Sequence, residues 1–163
     1  MTELDMIVSS ICTHLNANSA CAVTAFGTEP IDDYDEPVVA VSICKASGEN
    51  AGYGEYLGVY TDAAHGEREL YGKKRALELG LYVYVPRALG ANECNTVFSD
   101  IAAVLALPAS PVKVDKITMT EPALDKISGM FLAKAKAECT AFLTYEMTDS
   151  GQYTDFKLGG RLV

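Results

Sequence analysis

No run of apolar residues in this 163-residue chain exceeds the seven from Ile101 to Leu107, far short of the ~20 that a membrane helix needs. The opening Met1-Thr2-Glu3-Leu4-Asp5 lacks the basic region of a secretory signal. No Lys or Arg precedes Lys45, while Glu3, Asp5, Glu29, Asp32, Asp33, Asp35 and Glu36 all do, so residues 1–44 carry −7. The expectation is a cytoplasmic protein that neither crosses nor docks on a membrane. The five cysteines (Cys12, Cys21, Cys44, Cys94, Cys139) are odd in number and form no C-x-x-C pair. That pattern favours reduced, buried thiols over a disulfide framework or a zinc site. Thirteen Lys and Arg against twenty-two Asp and Glu leave the chain at −9, which argues against nucleic-acid binding through a basic field.

Repeats and linkers are missing too, so residues 1–163 read as one domain, and a chain of this length hides roughly 70% of its unfolded surface. Apolar residues at Leu4, Ile7, Val8, Ile11, Cys12 and Leu15 recur every three or four positions and predict a helix over 3–16. Thr2 with Asp5 is a loose capping signal. A short strand over 20–26 and a buried one over 38–44 are expected to pair as a hairpin across the acidic segment 28–36. The stretch 46–71 holds Gly48, Gly52, Gly54, Gly58 and Gly66 with no sustained period, and is expected to be a long loop. Leu77, Leu79, Leu81, Val83 and Val85 then alternate with more polar residues up to Pro86, the pattern of a half-buried strand. Asn92 is expected to cap a second helix that buries Cys94, Val97, Phe98, Ile101, Ala102, Val104 and Leu105. Strands over 112–120 and 131–147 follow, and Tyr153 to Leu158 is expected to return as the second arm of a C-terminal hairpin after Thr148-Asp149-Ser150-Gly151. The fold class is α+β: a mostly antiparallel sheet flanked by two helices.

Motifs for chemistry are scarce. Gly52, Gly54 and Gly58 miss the dinucleotide fingerprint by one position. His14 and His65 have no spacing that would pair metal ligands, and both read as solvated surface residues. Asp32, Asp33, Asp35 and Glu36 lack the glycine and distant glutamate of a Ca²⁺ loop. Cys94, near a helix start, is the one position for a nucleophile, and its place on the apolar stripe argues for burial instead. No catalytic residue, metal site or cofactor is expected. The remaining candidates are interface residues: the acidic Asp32, Asp33, Asp35 and Glu36, the basic run Lys73, Lys74 and Arg75, and the loop tyrosines Tyr53, Tyr56 and Tyr60. Opposite charges set apart on one small domain can meet between copies, and tyrosines supply contact area.

In element order over nearly its whole length the chain resembles the tail terminator family of long-tailed phages and phage-tail-like particles, contractile bacteriocins included. The similarity lies in the N-terminal amphipathic helix, a strand ending in Val85-Pro86-x-x-Leu89-Gly90, a helix with Cys94 and Phe98, and an end closing on Gly160-Arg161-Leu162. The resemblance implies a non-enzymatic α+β subunit that forms a hexameric ring on the tail tube, stops its growth, and joins tail to neck or sheath. Its partners would be its own copies, tube subunits, and sheath or neck proteins. Its location would be the bacterial cytoplasm during assembly, then the virion or tail-like particle. Another ring-forming tail, neck or head–tail connector component fits the same pattern. From a different class, a small-molecule-binding or enzymatic α+β domain would use Cys94.

Overall fold

The structure, a computed structural model, describes residues 2–25, 34–50, 56–62, 66–147 and 157–160. Helix α1 (Glu3–Ala17) begins with a full capping box: the Asp5 backbone N–H donates to the Thr2 hydroxyl, and the Thr2 N–H to the Asp5 carboxylate at 2.9 Å. Its apolar stripe buries Ile7, Val8, Ile11, Cys12 and Leu15. After it, the Asn16 side-chain amide donates to the Ala22 carbonyl and accepts from the Ala22 N–H at 2.7 Å, standing in for a neighbouring strand at the start of β1 (Ala22–Thr24).

Strand β1 pairs in parallel with β2 (Val38–Asn50), so the expected hairpin between them is not formed. Strand β3 (Tyr56–Asp62) and β4 (Gly66–Val85) come next. The stretch read as a loop over 46–71 is thus largely strand: it holds the end of β2, all of β3 and the first six residues of β4. Residues 51–55 and 63–65 lie outside the described ones. Glycines and tyrosines without alternation gave no strand signal, yet this backbone is paired to β4 on one side and through β4 to another strand on the other. Non-local partners, not local pattern, make it a sheet.

A single 3-10 turn (Arg87–Leu89) and Gly90, at φ +83°, lead into helix α2 (Glu93–Leu105). Asn92 makes no side-chain capping bond; it is already helical in backbone, and the Glu93 N–H donates to the Gly90 carbonyl instead. Strands β5 (Lys113–Met119), β6 (Ala123–Leu124), β7 (Phe131–Met147) and β8 (Lys157–Gly159) complete the chain. Strand β8 runs antiparallel to β7; of the expected arm only Lys157 and Leu158 are among the described residues, and its turn and remaining residues, 148–156, lie outside them.

The eight strands form one sheet in the order β1-β2-β4-β7-β5, with β3 also on β4, and β6 and β8 also on β7. All pairs except β1–β2 are antiparallel, so the fold is α+β. Both helices cover one face, α1 over β1 and β2, α2 over β4, β5 and β7. Leu77, Leu79, Leu81, Val83 and Val85 point into that core with Val39 and Val41. On β7 the core positions are mostly alanine, from Ala133 to Ala141. Small side chains keep the sheet surface low there, leaving room for Cys94, Ile101 and Leu105 of α2 at the packing density of protein interiors.

Candidate interaction surfaces

Strand alternation decides what the basic run presents. Lys73, Lys74 and Arg75 sit in the middle of β4 rather than at its start, and a period of two sends Lys74 to the open face and its neighbours to the helix face. Arg75 is engaged within the subunit: its Nε donates to Glu3 Oε1 at 2.6 Å and its Nη2 to Oε2 at 3.4 Å. The guanidinium lies over Gly48, where a Cβ would come 2.7 Å from Nη1. The pair ties the first turn of α1 to the sheet.

Of the acidic candidates, Asp35 and Glu36 are exposed just ahead of β2, and Asp32 and Asp33 lie outside the described residues. Tyr53 lies outside them as well. Tyr56 and Tyr60 belong to β3, in register with Tyr71 and Arg68 of β4. Beyond the Arg75–Glu3 pair the sheet continues as an arm, formed by the beginning of β4 with β3 on one side and the end of β7 with β8 on the other. Neither helix makes more than marginal contact with β3 or β8. At ~3.3 Å per residue, residues 66–74 reach roughly 30 Å.

The open face of the sheet is lysine-rich despite the acidic chain. Lys45, Lys74, Lys116, Lys134 and Lys136 share it with Glu78 and Glu138 by register. Lys136 reaches Glu78 at 3.5 Å, with both side chains partly in water, so this contact contributes well under 1 kcal/mol. Near the same face Cys44, exposed, falls at a bulge between Ile43 and Lys45.

The other thiols are Cys12, Cys94 and Cys139, all buried, and Cys21, half-buried; all five are free. Burial pushes the Cys94 thiol up, with the Glu93 charge adding to it, and pushes Cys139 up to about 12. Both effects oppose formation of a thiolate. His14 is not the solvated residue its position suggested: its Nε2 lies 2.9 Å from the Val104 carbonyl and links the two helices. His65 lies outside the described residues. Among the described residues no cluster of three or more His, Cys, Asp or Glu is arranged to hold a metal ion, and no helix is long and apolar enough to cross a membrane.

Two features escaped the sequence reading. Between β6 and β7 a tight turn is locked by Asp125, whose Oδ2 accepts from the Ser128 hydroxyl at 2.7 Å and whose carbonyl accepts from the Gly129 N–H at 2.8 Å. The Ser128 hydroxyl bond holds the Asp125 carboxyl below the usual aspartate value. At its tip Ile127 is 94% exposed. The available signal was an isoleucine inside the turn chemistry Asp125-Lys126-Ile127-Ser128-Gly129. Second, a groove of about 590 Å³ lies between α2 and the segment joining α1 to β1. Val39, Val97, Ile101 and Val104 give it an apolar lining, and Glu36, Glu93 and Asp100 its charge. No sequence signal marks it, because its walls come from three separate elements. No family model matches the chain, and no curated protein matches it in sequence.

Proposed function

We propose that the chain is a structural subunit that joins copies of itself into a ring and caps the end of a protein tube, as its resemblance to tail terminators implies. The observation that carries the subunit reading is the arm. Among the described residues its outer strands β3 and β8 each have one neighbour, and edges with unpaired backbone donors and acceptors pair with other chains unless they are blocked. A lysine-rich open sheet face and, on the helix side, a groove edged by Glu36, Glu93 and Asp100 give each copy two surfaces of unlike charge, and complementary surfaces set register and orientation between subunits.

Capping needs no chemistry. A protein complementary to a growing end on one face and unlike it on the other stops addition by occupying the site. Such a subunit would be made in the bacterial cytoplasm and end in the particle. Deleting the protein should give tails of irregular, excessive length by electron microscopy, and adding it to polymerising tube subunits should fix their ends. Tails of normal length that lack only head or sheath would instead make the chain a neck or connector component.

A further inference from the structure

We propose that the Asp125–Gly129 turn of one copy seats Ile127 in the acidic-edged groove beside α2 of the next copy. The proposal rests on the ring reading and names the contact that would close it. An isoleucine at the tip of a turn is the most water-exposed large apolar side chain among the described residues, and burying it would recover the transfer free energy of its whole side chain. The turn is held by Asp125 through Ser128 and Gly129, so little ordering remains to be done on docking.

The groove matches the tip in two respects. Its lining from the half-buried Val97 and Val104 offers apolar contact, and its volume suits one branched side chain with its flanking residues. Glu36, Glu93 and Asp100 face a tip whose neighbouring residue is the exposed Lys126, so charge complements shape.

Topology keeps the two from meeting within one subunit. The turn precedes Phe131 and adjoins β6, on the far side of β7, whereas the groove borders β1 and β2. Measured from Val39 on β2, with β4, β7 and β6 following in order, three inter-strand spacings, roughly 14 Å, separate them at the sheet. Both lie at the end of the sheet where β4 finishes opposite Phe131 and β2 begins opposite Tyr84. Tip and groove are different patches of one subunit, so a contact between them is head-to-tail and closes into a ring when the rotation allows.

Sedimentation of the full chain over a concentration series tests the contact. Wild type should form species larger than a dimer. Ile127→Asp should abolish them, as should the groove variant Asp100→Lys with Ala103→Arg; the altered residues are all exposed, and thermal melts should confirm folding. Mixing the two variants should restore a dimer and nothing larger, because one intact tip and one intact groove remain in the mixture. If wild type and Ile127→Asp assemble alike, the tip–groove contact is overturned and the ring reading stands. Wild type that stays monomeric to about 1 mM also overturns the contact; copy number in the assembled particle then decides the ring separately. A groove that serves another ligand would show as groove variants assembling normally, and that too overturns the proposal.

Discussion

A thiol becomes a nucleophile only where water or a nearby positive charge stabilises the thiolate, and the cysteines here divide on that ground. Cys44 reaches solvent at the β2 bulge, whereas Cys94 is fully buried and both its burial and Glu93 raise its thiol. With an alkylating reagent near pH 8, about where free thiols begin to ionise, Cys44 is expected to label in the folded protein. Cys94 and Cys139 should label only after denaturation. Mass spectrometry of labelled peptides reads this directly, and fast, stoichiometric modification of Cys94 would favour the enzymatic reading. The same scale explains what the residues of the candidate surface disclosed in advance. That Lys74 opposes Lys73 and Arg75 follows from a period of two, but only once those residues are known to lie inside a strand. The Arg75–Glu3 pair, seventy-two residues apart in sequence, had no local signal.

Helix α1 shows how a short element is fixed at both ends. At its start Asp5 is held below the ordinary aspartate value, chiefly by the Thr2 hydroxyl and then by the Thr2 backbone. A carboxyl with a depressed folded value contributes stability that is present above the unfolded value of ~3.9 and lost as pH falls through the folded one. Asp5→Asn should therefore destabilise the protein near neutral pH, and its deficit relative to wild type should shrink as pH drops below ~3.9. Urea unfolding at several pH values measures the difference. A deficit that stays constant with pH would show that the ionised carboxylate contributes nothing. Thr2→Ala should cost about 1 kcal/mol at neutral pH. Helices and long alternating strands were legible because their own residues repeat with the period of the structure, as in Leu77 to Val85. The parallel sense of β1 was not, since alternation reads the same in both directions and three residues leave little else. Strands β3 and the early part of β4 were hidden for a further reason: their pairing comes from distant chain, and glycine-rich backbone carries no alternation to betray it.

Across the whole molecule, stability should be graded along the sheet. The stretch where Leu77 to Val85 faces β7 beneath the helices buries most apolar surface, and its amides should exchange at the rate of global unfolding. Amides of β3, which among the described residues pairs only with β4, should open through smaller fluctuations and gain protection in an assembled particle. Hydrogen exchange on the free and assembled protein reports both. Equal rates for β3 and the covered strands in the free protein would contradict the gradient. Because β4 and β7 run without interruption from the covered region into the arm, joined by seventeen consecutive register pairs, the arm has no joint at its root. A pull on its end along the strands would load those pairs side by side in shear, since ladder bonds stand perpendicular to the strands, instead of peeling them one after another. An arm anchored in this way passes tension straight into the strands beneath the helices.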